Sequence, residues 1–376
     1  MSRTIDIDAI ELISLRVSPR SEWLFLKVTS SDGLHGVGEA TMEGHELAVK
    51  AAIKSLAERI CGHPEPDDDD VAQLLVKAAG DSHAFTAVSA FEQALWDIRG
   101  KRRDLSVAAL FGGALQDCRL YANINRGIYE RTPEGFARTA QDAIAAGFTA
   151  VKIAPFDDLD WTCGPAQDGR SYYDAGLARI AACRAALGEK IALSIDCHWR
   201  FDPETACQLV ADVRDYGLFW IECPIAETRD AISDIRKIRQ KCNAQGVLLA
   251  GLESLNGRNA FADFLVAEAV DVIMPDVKYA GGLSECQKIA RLADEYGVFC
   301  CLHNPTGPVC HAASLQLAST LPNCPLLEYQ FNETPLFHDI VGAPFPPLVD
   351  GCAALPPGPG LGIELNRDLE AISSAD

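Results

Sequence analysis

Three acidic residues, Asp196, Glu222 and Glu253, each stand directly after a short apolar run: Ile191–Ile195, Leu218–Ile221 and Leu248–Leu252. One acid ending an apolar run would be unremarkable. Three in succession would crowd like charges in one place, which is costly unless a cation gathers them. An all-oxygen ligand set, without cysteine or clustered histidine, points to a hard cation, and Mg²⁺ fits it better than Zn²⁺.

Other reactive residues fall at equivalent places. Lys152 lies in Val151-Lys152-Ile153, His198 and Arg200 follow Asp196, and Asp276 follows Pro275. His303 opens His303-Asn304-Pro305, and Glu328 follows Leu326–Leu327. Asp276 and His303 end consecutive apolar runs, where the acid can bond one ring nitrogen and leave the other as a base. Two residues past Asp196, His198 can face the same space. Lys152 offers a cation for a substrate carboxylate.

The elements that must position these residues form a regular series from about Arg119 onward. Strand-like runs at Arg119–Ile124, Ala150–Ala154, Ile191–Ile195, Leu218–Ile221, Leu248–Leu252, Val272–Met274, Phe299–Leu302 and Leu326–Leu327 alternate with amphipathic segments. Those segments include Pro133–Ala146, Tyr173–Leu187, Pro203–Tyr216, Gly282–Tyr296 and Pro308–Leu321. Eight strands separated by helices predict an α/β fold, a (β/α)7β barrel, whose chemistry belongs at the C-terminal strand ends. A doubly wound sheet is disfavoured, because Gly36-Val37-Gly38 lacks the third glycine and the helix of a phosphate loop.

Before the barrel, Ile5–Val17, Glu22–Thr29 and Leu34–Gly38 read as strands, and Glu46–Arg59, Val71–Ala78 and Phe85–Arg99 as helices. The run Asp67–Asp70 reads as a solvated helix start. The predicted division is an α+β domain over 1–117, the barrel over 118–345, and a Pro- and Gly-rich tail over 346–376 that returns to the first domain.

Composition narrows the function classes. A net charge of −20 over 376 residues argues against nucleic acid, which needs clustered Lys and Arg. No apolar stretch approaches the roughly 18–20 residues that span a bilayer. The first residues carry acids and no apolar core of a signal peptide, so a cytoplasmic location is expected. Fourteen cysteines without a C-x-x-C pair read as reduced, mostly buried thiols.

These residues resemble the mandelate-racemase-like branch of the enolase superfamily. The resemblance runs through Gly38-Glu-Ala-Thr41, Phe91-Glu-Gln-Ala-Leu-Trp-Asp97, Gly281-Gly282 and Gly360-Leu-Gly362-Ile-Glu364. Asp196-x-His198-x-Arg200 together with His303-Asn-Pro-Thr-Gly-Pro308 is most similar to the galactonate dehydratase type of sugar-acid dehydratase. The resemblance implies that Asp196, Glu222 and Glu253 bind one Mg²⁺ that grips a small-molecule carboxylate. It implies that His303, oriented by Asp276, takes the α-proton, and that His198 is general acid toward the departing β-hydroxyl. Lys152 and Glu328 would contact the carboxylate or the enediolate. The first domain would cap the barrel, bringing the Ser18–Trp23 loop with Trp23, and His45, over the site. Arg200, Asn125 and Arg126 complete the expected substrate contacts, Phe156–Ser171 is either a lid or a plain surface loop, and relatives commonly form homo-oligomers.

The chemistry is consistent with that division. An α-proton beside a carboxylate is too weakly acidic for imidazole unless the resulting negative charge is stabilised, and a divalent cation with a nearby ammonium does so. Where many relatives carry Lys-x-Lys, this chain has Lys152-Ile153-Ala154, which disfavours a lysine-dependent two-base racemase or cycloisomerase. Glu222-Cys223-Pro224 departs where relatives carry two acids, with the metal-binding glutamate retained. Epimerisation by His303 and His198, another metal-assisted lyase or isomerase, and a noncatalytic metal-containing binding protein stay open. A zinc amidohydrolase is disfavoured, since Ile124-Asn125-Arg126 replaces the His-x-His expected at the first strand.

Overall fold

The computed structural model describes residues 4–19, 21–112, 117–157, 169–366 and 369. The chain opens with three strands, β1 (Ile7–Arg16), β2 (Glu22–Ser30) and β3 (His35–Glu39), paired antiparallel in the order β1-β2-β3. Four helices follow: α1 (Glu46–Ile60), α2 (Asp68–Ala78), α3 (Ser82–Arg103) and α4 (Val107–Phe111). Helix α1 buries Val49, Ile53, Leu56 and Ile60, a single stripe at helical spacing, against this sheet and α3. The acidic run is a helix start: the Asp67 carboxylate accepts from Asp69 N and Asp70 N, and Asp70 accepts from Asp67 N.

Helix α3 is buried on almost every side because it runs between the small sheet and the barrel. Two glycines of β3 allow the contact. A Cβ at Gly36 would lie 2.2 Å from the Ala94 carbonyl oxygen, and one at Gly38 would lie 1.9 Å from that of Ala90.

The barrel strands are β4 (Cys118–Asn123), β5 (Ala150–Ile153), β6 (Ala192–Asp196), β7 (Trp220–Glu222), β8 (Leu248–Gly251), β9 (Val272–Ile273), β10 (Phe299–Cys300) and β11 (Leu327–Gln330). They pair in parallel in chain order, and β11 returns to lie beside β4. Between them run α5 (Pro133–Ala145), α6 (Gly169–Leu187), α7 (Pro203–Asp212), α8 (Ile232–Asn243), α9 (Arg258–Val266), α10 (Gly282–Glu295) and α11 (Pro308–Ala318). Tyr121, Ala150, Trp220, Ala250, Val272, Met274, Cys301 and Leu326 form a separate apolar cluster that fills the interior beneath the strand ends. The junction between β10 and β11 is closed without a strand ladder, by Cys300 N to Asn323 O at 2.9 Å and Asn304 Nδ2 to Glu328 O at 2.9 Å.

Several boundaries differ from the sequence expectation by a few residues, and two of them have clear local reasons. The last strand extends to Gln330 in register with Leu120–Asn123, so Glu328 lies inside it rather than past its end. The segment expected to be helical through Tyr216 leaves α-geometry after Asp212, continues as a 3-10 turn, and stops at Gly217 with φ +55°.

A short helix α12 (Leu336–Asp339) and strand β12 (Cys352–Ala353) lead into the tail, and β12 pairs antiparallel with β4. The tail then reaches the first domain: Leu361 N donates to Asp97 at 2.8 Å, and Glu364 meets Lys101 at 2.6 Å and His35 at 2.9 Å. The barrel is thus capped by the N-terminal α+β domain with the tail completing it. Among the described residues, no helix is long and apolar enough to cross a membrane.

Candidate active site

Asp196 and Glu222 are the last residues of β6 and β7 and register neighbours, and Glu253 lies two residues past β8. All three are buried, and one ligand oxygen from each falls within 4.8 Å of the others. Among the described residues, no other group of three or more His, Cys, Asp or Glu converges so closely.

Lys152 lies beneath this triad, fully buried. Its Nζ is 2.6 Å from Glu222, 2.9 Å from Glu328 and 3.6 Å from Asp196. Glu222 also accepts from Trp220 Nε1 at 2.8 Å, and Glu328 accepts from Asn123 Nδ2 and Asn304 N, each at 2.8 Å. One ammonium therefore faces three carboxylates, with Glu253 beside them, and Glu253 Oε2 is buried without a hydrogen-bond partner. Burial, then the neighbouring Asp196, Glu253 and Glu328, push the Glu222 carboxyl well above its usual range against the pull of Lys152. Burial works the same way on Glu328, but Lys152 and His303 outweigh it and hold that carboxyl down to about 2. A surplus of acidic oxygens, one of which accepts no hydrogen bond, suits a hard divalent cation held by Asp196, Glu222 and Glu253.

Two imidazoles flank the triad. His303 directs Nδ1 to Asp276 at 2.8 Å and Nε2 toward Glu253, 3.6 Å away. Asp276 is fixed from below by Lys278, whose backbone N and Nζ both donate at 2.7 Å. Burial would raise Asp276, yet Lys278 and His303 hold it below the ordinary carboxylate range. His303 in turn is raised, because Glu253 and Asp276 outweigh the burial that opposes its charge. On the other side, His198 places Nε2 2.9 Å from Asp196 and Nδ1 2.5 Å from Asp157. Burial disfavours charge there, but the two carboxylates raise His198 well above its ordinary value. Both of its nitrogens are placed to donate, as an imidazolium does.

These groups open into a cavity of about 1160 Å³ whose outer wall comes from the first domain through Met42, Glu43, His45 and Gly80–His83. Of the residues expected at the site, Asp196, Glu253, His198, His303, Asn125, Arg126 and His45 line it. Glu222, Lys152, Glu328 and Asp276 lie beneath as buried supports. Arg126 is engaged by Glu43 at 2.7 Å and Glu333 at 3.4 Å, while Arg200 donates to the Asp157 carbonyl at 2.8 Å. Trp23 lies elsewhere. It belongs to β2, is fully buried against Phe25 and Phe337, and borders a different cavity of about 440 Å³.

In the Phe156–Ser171 segment, Phe156 is buried against Tyr173 and Phe201, and residues 158–168 lie outside the described residues. The sequence reading missed Asp157, Lys278 and His83. Position just past a strand could have flagged Asp157 and Lys278. His83, 3.0 Å from His45, sits in the first turn of α3, far from any strand end.

Comparison with known proteins agrees with this geometry. Residues 135–369 match the enolase C-terminal domain-like family, and residues 11–112 match the mandelate racemase / muconate lactonizing enzyme N-terminal domain. The chain is 30% identical over 367 residues to a D-galactonate dehydratase of Xanthomonas campestris pv. campestris (strain B100), covering 95% of this chain and 92% of that protein. It is 30% identical over 375 residues to a D-galactonate dehydratase of Verminephrobacter eiseniae (strain EF01-2), covering 97% and 94%. The crystal structure of a mandelate racemase/muconate lactonizing enzyme from Jannaschia sp. CCS1 superposes with a TM-score of 0.85 at 28% identity, covering 98% and 97%.

Proposed function

The chain belongs to the mandelate racemase / muconate lactonizing enzyme branch of the enolase superfamily and is a carbon–oxygen lyase of it; from that premise we propose that it dehydrates a sugar acid with Mg²⁺ as cofactor. The carrying observation is the converging triad with an imidazole on either side. Asp196, Glu222 and Glu253 would hold the cation, whose positive charge would lower the cost of removing the proton next to the substrate carboxylate.

The protein's own groups do the rest. Asp276 keeps His303 Nδ1 occupied, so Nε2 is the atom that takes the proton from the α-carbon. The electron pair left behind forms the Cα–Cβ double bond as the Cβ–O bond breaks. His198 delivers a proton to the departing oxygen, which leaves as water, and the enol product tautomerises to a 2-keto-3-deoxy acid. Lys152 stabilises the carboxylates of the site from below, reaching the cavity only through them. Asn125, Arg126 and His45 read the hydroxyls at the far end of the substrate.

A second reading, epimerisation, has one observation in its favour: two imidazoles flank a single site. A lysine-dependent version has less support, since Ala154 is buried with its N–H donated to the Asn125 side chain, leaving no base there.

Sugar acids incubated with the protein and Mg²⁺, with keto acid trapped as semicarbazone, test the proposal. Keto acid that disappears with EDTA and in His303→Asn supports dehydration. Deuterium entering recovered substrate with inverted configuration, without keto acid, would move the assignment to the epimerase.

A further inference from the structure

The chain turns sharply beside each of the three acids. His198 (φ +44°) and Trp199 (φ +57°) follow Asp196, Cys223 (φ +45°) follows Glu222, and Leu252 (φ +72°) precedes Glu253. None is glycine, and left-handed backbone at such residues persists only where the surroundings enforce it. One side chain reaches all three turns. Glu227 Oε1 accepts from Leu252 N at 2.8 Å and from the Cys223 thiol at 3.6 Å, and Oε2 accepts from Trp199 Nε1 at 2.9 Å.

The neighbouring backbone makes room for this carboxylate. A Cβ on Gly251 would lie 2.0 Å from Glu227 Oε1. The turns are also tied to one another, by Trp199 N to Cys223 O at 2.7 Å and Cys223 N to Ala250 O at 3.0 Å. Glu227 makes no hydrogen bond to the three acids; it feels the like charge of Glu253, and its bonds go to the turns that carry them.

We propose that Glu227 is a positioning residue that locks the turns beside Asp196, Glu222 and Glu253, so that their oxygens converge on one cation. This rests on the reading of those acids as the metal ligands. The three donors act against a costly environment: burial, with the like charge of Glu253 adding to it, pushes the Glu227 carboxyl up to about 7, and the Trp199, Leu252 and Cys223 donors pull against that shift. A carboxylate kept in such surroundings is one whose three donors matter.

The test is a Mn²⁺ titration of the metal-free full-length protein, with free Mn²⁺ measured by electron paramagnetic resonance. Wild type is expected to bind one Mn²⁺ per chain, and Asp196→Asn to lose it. Glu227→Ala is expected to raise the Kd by about 10- to 100-fold, as loss of a support behind a ligand does. Glu227→Gln keeps the shape but sets an amide N–H against the Trp199 indole N–H, and is expected to raise the Kd by a smaller factor. It substitutes for the alanine variant if that one fails to fold. Val71→Ala, a core substitution in the first domain, lowers thermal stability and is expected to leave the Kd unchanged. A Kd within about twofold of wild type in both Glu227 variants overturns the proposal, as does an equal rise in Val71→Ala. Wild type that binds no Mn²⁺, or Asp196→Asn that binds it equally, removes the metal reading and this proposal with it.

Discussion

Buried carboxylates gather in two regions of this molecule, and their partners differ. At the boundary between the first domain and the barrel, Glu39 accepts from Gly307 N at 2.9 Å and Cys310 N at 2.8 Å, at the start of α11. Glu92 accepts from Leu283 N at 2.7 Å and Ser284 N at 2.9 Å at the start of α10, and from Trp96 Nε1 and Ser284 Oγ. Asp97 accepts from Val37 N and Leu361 N and pairs with Lys101. Helix N-termini carry orphan N–H groups and partial positive charge, so Glu39 and Glu92 clamp one domain onto the other. At the barrel mouth, Asp196, Glu222 and Glu328 share one lysine, and among the described residues Glu253 beside them accepts no hydrogen bond at Oε2 and has only His303 Nε2, 3.6 Å away. Burial of charge does not by itself mark a functional site. The marking feature is charge that the fold leaves unanswered.

The contrast can be broken most strongly at the mouth. His303→Asn is expected to lower kcat for keto-acid formation by about 10²- to 10⁴-fold. Its melting temperature by calorimetry should stay close to that of wild type, since the residue serves chemistry and not docking. A large fall in stability at unchanged kcat would place His303 with the clamps.

Glu92→Gln sets an amide against donors that all point inward. Urea unfolding is expected to show a loss of about 1–3 kcal/mol, with near-normal turnover by the folded fraction.

The histidines sharpen the same comparison. His198 and His303 lean on carboxylates, whereas His311 is buried against the Asn304 amide at 2.8 Å with Tyr329, Phe337 and Phe345 around it. Burial, helped by the nearby His338, pushes His311 down to about 3. Its folded pKa lies below its unfolded one, so the unfolded chain takes up the proton first as the solution is acidified. The stability it contributes is complete above about pH 6.5 and is lost as pH falls from there toward 3. Between pH 7 and pH 5 the loss from this one group is about 2 kcal/mol. Unfolding curves of wild type and His311→Gln at the two pH values measure it, and the variant should lose that much less on acidification.

The barrel and its mouth were largely legible in the sequence, because strand ends are local features: an apolar run stops and a reactive residue follows. The clamps were legible only as phrases. Gly38-Glu39 and Phe91–Asp97 could be singled out, but their partners lie far along the chain, at Gly307, Leu283 and Leu361. No periodicity reports such pairings. The family resemblance puts Trp23 over the cavity with the Ser18–Trp23 loop, whereas Trp23 is the second residue of the strand read from Glu22, and β2 carries its indole into the core. Glu227 drew no attention, since it ends no strand and its meaning comes from three turns that only the fold brings together.

The most direct measurement compares Glu253→Gln with Glu92→Gln by thermal unfolding, in EDTA and in Mg²⁺. Glu253 Oε2 accepts no hydrogen bond, its nearest cation being His303 Nε2 at 3.6 Å, and neutralising it relieves like-charge crowding with Glu222. The account predicts Glu253→Gln at least as stable as wild type in EDTA, with wild type alone of the two gaining stability from Mg²⁺. Glu92→Gln should be weakened in both solutions and still gain from Mg²⁺. Equal destabilisation of both variants in EDTA, with no response of wild type to Mg²⁺, would contradict it.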